Sequence, residues 1–157
     1  MEIGEDVNDM SELEQKTRTR LRELLVLQKQ LAELYGEDDY NVFVFGSYTT
    51  TAYEEGRSDV DIAVYTEDFE LYKQISLYLE QWFAQKQIPS DIFYIDTTLP
   101  APIYLAPLQS PIQFTDFFPD KLKIYWTVMQ IMAKSSGMKQ VAIFNKKSFV
   151  YSHQSVR

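Results

Sequence analysis

The chain has 157 residues, a hydrophobic fraction of 45% and a formal net charge of −8, which together predict a folded protein of about one domain. It has no cysteine, which excludes disulfides and thiolate metal sites. No apolar run reaches the roughly 18 residues that span a membrane, and the first ten residues, MEIGEDVNDM, lack the apolar stretch of a signal peptide, so we expect a cytoplasmic protein.

The charge is distributed unevenly along the chain. Residues 121–157 contain seven Lys or Arg and no acidic residue, whereas residues 1–120 contain eight basic and 23 acidic residues, a net charge of −15. Phosphate contacts require basic side chains, so this acidic body argues against a broad nucleic-acid surface. The basic C-terminal segment leaves open a contact with nucleic acid or with an acidic protein surface.

The first predicted element is a helix that begins after Ser11. The segment SELE, which ends at Glu14, has the form of a capping box. Gly36 occupies a position typical of a helix C-terminus. Between them a stripe of leucines recurs at helical spacing, and its clearest members are Leu24, Leu27, Leu31 and Leu34. We interpret the stripe as a core face, since it is too short for a coiled-coil seam.

Two strands are predicted after this helix. The segment NVFVFGS alternates Val and Phe, so both of its faces are apolar, which is typical of a central strand. The segment SDVDIAVYT has one apolar face and one face with carboxylates. The apolar face comprises Val60, Ile62 and Val64, and the other comprises Asp59, Asp61 and Ala63.

The second half of the chain predicts further helices and strands. A helix over EDFELYKQISLYLEQWFAQKQ has Asp68 or Thr66 as its N-cap. The strand SDIFYID follows and opens with Asp91. A short strand is predicted around residues 112–114, then a helix over DKLKIYWTVMQIMAK that ends near residue 137, and a hairpin around residues 145–146.

This order of elements predicts an α+β (α/β) fold, with a small mixed β-sheet packed against helices. We expect a single domain over residues 1–157. Its core covers about residues 11–115, and a C-terminal helix and hairpin cover residues 119–157.

The two aspartates of the second strand are the first candidates for chemistry. Asp59 and Asp61 are two residues apart in a strand, so they share a face with Cα atoms roughly 6–7 Å apart. Like charges this close repel each other unless a cation lies between them. Carboxylate oxygens suit Mg²⁺ or Mn²⁺, although two exposed aspartates that simply meet water give the same pattern.

Gly46 and Ser47 end the preceding strand. Glycine permits close approach of a ligand to the backbone, and the Ser47 hydroxyl adds a donor that suits a phosphate. The segment is not a Walker loop or a dinucleotide-binding loop, because neither glycine pattern is present. By itself, a Gly-Ser pair after a strand is usually only a turn.

The combination is more specific than its parts. A strand ends in Gly46-Ser47, Asp59 follows Ser47 by twelve residues, and Asp91 opens a later strand. The stretch FGSYTTTAYEEGRSDVDIAVY resembles the signature of the DNA polymerase β-like nucleotidyltransferase superfamily, in particular its minimal nucleotidyltransferases. The resemblance covers roughly residues 40–115 and implies the nucleotidyltransferase fold.

The resemblance also implies a reaction and roles for individual residues. A nucleoside monophosphate, expected to be AMP from ATP, would be transferred to a hydroxyl with release of pyrophosphate. Gly46 and Ser47 would bind the phosphates, and Arg57 is a further candidate for phosphate contact. Asp59 and Asp61 would bind two Mg²⁺ ions (or Mn²⁺), and Asp91 would complete the metal site beside the acceptor.

The acceptor and the partner are left as alternatives by the resemblance. The acceptor hydroxyl would belong to a protein, such as a small helical HEPN-type partner, to a small molecule, or to an RNA end, which the acidic body disfavours. A different class of function is a non-catalytic, antitoxin-like binding module that retains the fold. The presence of all three carboxylates argues against that alternative.

Overall fold

The structure is a computed structural model that describes residues 11–98 and 102–135. Within them, four helices and four strands follow one another in the chain. The helices are α1 (Glu12–Tyr35), α2 (Phe69–Gln85), α3 (Leu105–Leu108) and α4 (Asp120–Ser135). The strands are β1 (Tyr40–Phe45), β2 (Val60–Thr66), β3 (Ser90–Tyr94) and β4 (Ile112–Gln113). A 3₁₀ turn, Gly46–Thr49, follows β1 directly.

Helix α1 begins with the predicted capping box. The Ser11 hydroxyl accepts a hydrogen bond from the Glu14 amide at 3.1 Å, and the Glu14 carboxylate accepts one from the Ser11 amide at 3.3 Å. These bonds satisfy two of the donors that a helix N-terminus otherwise leaves unpaired. Gly36 ends the helix with a φ of 75°, a backbone conformation that glycine adopts without steric cost.

The four strands form one mixed sheet in the order β3-β2-β1-β4. Strand β1 is central and pairs antiparallel with both β2 and β4. Strand β2 pairs parallel with β3, and helix α2 makes the crossover between them. This α+β architecture with a small mixed sheet confirms the predicted fold class.

The two faces of the sheet carry separate cores. Helices α1 and α2 cover one face, where Leu27, Val44 and Ile62 are fully buried. On the other face, α3, α4 and the segment before α4 pack on Phe43 and Ala63. Burial of each large apolar side chain contributes about 1.5–3 kcal/mol. The predicted division of β1 and β2 into a valine face and an opposite face is confirmed.

Helix α4 is therefore part of the packing around the sheet. Its buried side includes Leu122, Tyr125, Trp126 and Met129. The predicted hairpin and the predicted helix end near residue 137 lie outside the described residues. No helix in the described ranges is both long enough and apolar enough to cross a membrane.

Candidate active site

Three strand ends meet at one end of the sheet and bring the predicted site residues together. Gly46 follows the last residue of β1, while Asp61 and Asp91 are each the second residue of their strands. Asp61 lies between Phe45 of β1 and Asp91 of β3 in the register. Neighbouring strands are about 4.8 Å apart, so the pairing of β2 with β3 places two carboxylates side by side. Asp59 lies just before β2 and is exposed.

Asp61 is the least exposed of the three aspartates. It is half-buried, whereas Asp59 and Asp91 are exposed. Burial raises the pKa of Asp61 above its usual value, and repulsion from Asp91 and then from Asp59 raises it further. Phe45 lies opposite Asp61 and packs edge-to-face on Phe93, with ring centroids 6.0 Å apart. The apolar surroundings and the neighbouring negative charges together disfavour the ionised carboxylate.

Gly46 lies directly against the Asp61 carboxylate. A Cβ atom added at residue 46 would be 2.3 Å from Asp61 Oδ2, and the Gly46 φ of +77° is one that side chains rarely adopt. Both the close approach and the backbone conformation therefore require glycine at this position. The Gly-Ser pair is thus coupled sterically to the Asp-x-Asp pair, and not only by spacing in the sequence.

The turn after Gly46 is held by a residue that the sequence patterns did not single out. Arg20 of α1 donates from Nε to the Tyr48 carbonyl at 2.9 Å and from Nη2 to the Thr50 carbonyl at 2.8 Å. Its guanidinium carbon also lies 4.6 Å from the centroid of the Tyr53 ring. The feature of the sequence that could have identified Arg20 is its place in the buried stripe of α1, in which Leu24 and Leu27 follow it.

The other two residues predicted to bind the nucleotide are placed differently. Ser47 is half-buried in the 3₁₀ turn, and its carbonyl accepts hydrogen bonds from the amide and hydroxyl of Thr50, each at 2.9 Å. Arg57 is solvent-exposed and forms an ion pair with Glu54 at 3.2 Å. In the described conformation, Arg57 therefore pairs with a loop carboxylate and not with the site aspartates.

The three aspartates have the donor chemistry of a hard-metal site, because all of their ligand atoms are carboxylate oxygens. Burial raises the pKa of Asp61, and repulsion from the other two aspartates raises it further; a divalent cation relieves repulsion of this kind. Among residues 11–98 and 102–135, however, no group of three or more His, Asp or Glu side chains is gathered closely enough to hold an ion. The three aspartates supply ligand atoms that suit Mg²⁺ or Mn²⁺, but in the described residues their side chains are not close enough together to hold an ion.

A cleft lies beside the turn that follows Gly46. It has a volume of about 650 Å³ and runs between α1, the segment after β1 and the turn that follows α2. Its lining includes Arg20, Tyr53 and Lys86, and none of the three aspartates contributes to it. The cleft thus borders the turn that begins at Gly46, the residue that contacts Asp61.

A search of curated proteins found no match. Among solved structures, a chain in the crystal structure of a mutant of the toxin–antitoxin MntA–HpeT aligns with 13% sequence identity and a TM-score of 0.42. That alignment covers 78% of this chain and 95% of the other.

The sequence profile of the nucleotidyltransferase domain matches residues 25–112. This range is more than half of the chain, and it extends from the middle of α1 to the first residue of β4. It includes Gly46, Ser47 and all three aspartates. The chain therefore belongs to the nucleotidyltransferase domain family.

Proposed function

We propose that this protein is a metal-dependent nucleotidyltransferase that transfers AMP from ATP to a hydroxyl group of a protein or a small molecule. The observation that carries the proposal is the meeting of Gly46, Asp61 and Asp91 at one end of the sheet. Family membership supports nucleotidyl transfer in general. The metal is inferred from the carboxylate donors of the site, and the nucleotide and the acceptor are inferred from the family resemblance.

Each residue has a distinct role in this proposal. Gly46 and Ser47 bind the β- and γ-phosphates, and Arg57 releases Glu54 to contact a phosphate oxygen. Asp59, Asp61 and Asp91 hold Mg²⁺ or Mn²⁺, which when bound neutralises charge on the attacking and leaving oxygens. The acceptor oxygen forms a bond to the α-phosphorus, the bond to the bridging oxygen breaks, and pyrophosphate leaves.

Asp91 is the best placed carboxylate to receive the acceptor proton. It is exposed, lies on an edge strand of the described sheet and is adjacent to Asp61 in the register. An acceptor that approaches from solvent can therefore reach Asp91 without passing the buried side of the sheet. The exposure of Asp59 and Asp91 also suits a large acceptor, such as a hydroxyl on the surface of a small helical HEPN-type partner in the cytoplasm.

The test of this function uses α-labelled ATP with Mg²⁺, candidate partner proteins and small-molecule acceptors. We expect label on one acceptor and release of pyrophosphate in equal amount. Asp59→Ala should lower both metal affinity and nucleotide affinity. Absence of triphosphate binding by the wild type, together with unchanged metal affinity in Asp59→Ala, would contradict the proposal.

A second candidate function is a non-catalytic binding module with the same fold. The observation that favours it is that no three carboxylates in the described residues are close enough together to hold an ion. This alternative predicts a stable complex with a protein partner that Asp61→Ala leaves unchanged, and no label transfer. Transfer that depends on Asp61 would exclude it.

Arg57→Ala separates nucleotide contact from structural support. The Arg57 side chain is 82% exposed and its partner Glu54 is 61% exposed, and surface ion pairs of this kind contribute little to stability. We expect the free energy of unfolding to change by less than about 0.5 kcal/mol. Triphosphate affinity, measured by calorimetry with Mg²⁺, should fall about three- to tenfold because a charged contact is lost. The exposed Arg22→Ala is the control, and equal affinities for both variants would remove Arg57 from the site.

A further inference from the structure

Arg20 is an unusual member of the buried stripe of α1. Its neighbours in the stripe are Thr17, Leu24 and Leu27, and only 9% of the Arg20 surface is exposed. A buried charge is costly unless it is paired or fully hydrogen-bonded. In the described part of the chain, Arg20 forms no ion pair with a carboxylate, so its charge is stabilised in another way.

The guanidinium is stabilised mainly by one segment of backbone. Arg20 donates to the carbonyls of Tyr48 and Thr50, and a third bond reaches the Thr17 hydroxyl at 3.1 Å. The Tyr53 and Tyr48 rings lie 4.6 and 5.5 Å from the guanidinium carbon. Hydrogen bonds with a charged donor are stronger than neutral ones. All of these partners except Thr17 lie within six residues, 48–53.

These contacts fix the orientation of the turn. The carbonyl and the N–H of one planar peptide unit point in opposite directions. Because the carbonyls of Tyr48 and Thr50 face Arg20, the amides of Thr49 and Thr51 face away from it. At its other end the turn begins at Gly46, which lies against Asp61. The turn is thus held between a buried cation from α1 and a carboxylate from β2.

We infer that Arg20 is a positioning residue that fixes residues 46–50 in the conformation that receives the triphosphate. The inference rests on the proposed function and adds to it a residue on a different element. The forked guanidinium reaches two carbonyls that are two residues apart. A lysine carries the same charge but only one donor head, so it cannot reproduce this geometry.

The experiment compares Arg20→Met, Arg20→Lys and the control Arg22→Met, which alters an exposed arginine of the same helix. Hydrogen exchange of residues 46–53 reports on the turn. The affinity for a fluorescent ATP analogue with Mg²⁺ reports on its function, and the affinity for Mn²⁺ alone reports on the aspartates. All measurements are made well below the unfolding temperature of each variant.

We expect Arg20→Met to accelerate exchange in residues 46–53 and to lower analogue affinity about tenfold, since small displacements in a binding site have large effects. Arg20→Lys should recover part of this loss. Mn²⁺ affinity should stay within about twofold, because Asp61 and Asp91 are on β2 and β3 and Asp59 directly precedes β2. Arg22→Met should match the wild type in all three measurements.

Unchanged exchange and unchanged analogue affinity in both Arg20 variants would overturn the inference. Equal losses of Mn²⁺ and analogue affinity would also overturn it, because they indicate general disruption. If Arg20→Met does not fold, Arg20→Lys alone carries the comparison. If the wild type binds no analogue, the proposed function fails, and the exchange measurement still decides whether Arg20 holds the turn.

Discussion

Asp61→Asn is expected to reduce nucleotidyl transfer by about 10³-fold or more, while the folded protein becomes no less stable. Asp61 is central among the three carboxylates, with Asp91 beside it and Gly46 against it. The substitution keeps the shape of the side chain but removes one negative charge and one metal-binding oxygen. Loss of charge stabilisation at a reacting phosphate has effects of this size.

The stability side of this prediction follows from the pKa of Asp61. Burial, and then Asp91 and Asp59, raise this pKa in the folded protein. Because the pKa of this carboxyl is higher in the folded than in the unfolded protein, the group favours folding at a pH below its pKa in the unfolded protein. This contribution is lost as the pH rises through its pKa in the folded protein. Ionisation of Asp61 as the pH rises towards 7 therefore opposes folding. The Asn variant escapes this penalty and should unfold at an equal or higher temperature than the wild type.

Thermal unfolding between pH 3 and pH 7 checks this expectation. The advantage of Asp61→Asn should be largest at pH 7 and should shrink towards pH 3, where the wild-type carboxyl is protonated. Asp96→Asn is the matched control, because Asp96 accepts hydrogen bonds from Thr98 that lower its pKa. The Asp96→Asn variant should retain transfer activity. Full activity in Asp61→Asn would refute the assignment of this site.

Gly46→Ala is expected to lower transfer activity by about 10²-fold or more and to destabilise the protein by about 1–3 kcal/mol. The added Cβ would be 2.3 Å from Asp61 Oδ2 and 3.2 Å from its Cγ. Either the turn shifts or the carboxylate swings away, and both responses move a site group. The loss of stability is moderate because the Asp61 side chain can move away from the added Cβ. The loss of activity is not reduced by this movement, because it displaces a carboxylate of the site.

Gly56→Ala is the control for the backbone conformation. Gly56 has a φ of +81° and nothing lies within 4 Å of its added Cβ, so only the left-handed strain of about 1–2 kcal/mol remains. Activity should stay within about threefold of the wild type, since a Cβ added at residue 56 contacts none of the aspartates.

A double-mutant cycle isolates the contact with Asp61. In the Asp61→Ala background the nearest atoms are gone, so Gly46→Ala should cost no more than Gly56→Ala does. Unfolding in denaturant measures each corner of the cycle. If the changes in the free energy of unfolding caused by Gly46→Ala and Asp61→Ala add strictly, the two residues are not in steric contact.

Local features of the fold were predictable because they depend on residues close in sequence. The capping box at Ser11, the N-cap at Asp68 and the alternating faces of β1 and β2 each follow from a few neighbouring side chains. The same holds for the spacing between Ser47 and Asp59, which carried the resemblance to the family.

The contacts that define the site were not predictable in this way. The parallel pairing that places Asp91 beside Asp61 joins residues 30 positions apart, and the spacing alone does not fix its register. The contact of Gly46 with Asp61 depends on the antiparallel register of β1 with β2, in which Phe45 pairs with Asp61. Arg20 was missed because an arginine in an apolar stripe usually extends to solvent, and its carbonyl partners are 28 and 30 residues away.

The position of β3 at the edge of the sheet has a consequence for motion. Within the residues that the structure describes, one carboxylate of the site is on β2, which is bonded on both sides, and another is on β3, which has a strand neighbour on one side only. Edge strands open locally more readily than central ones. A cation shared by Asp61 and Asp91 would act as a cross-link between the two strands and slow the fraying of β3. Binding of the cation would then lengthen the lifetime of the backbone hydrogen bonds of β3, before any chemistry takes place.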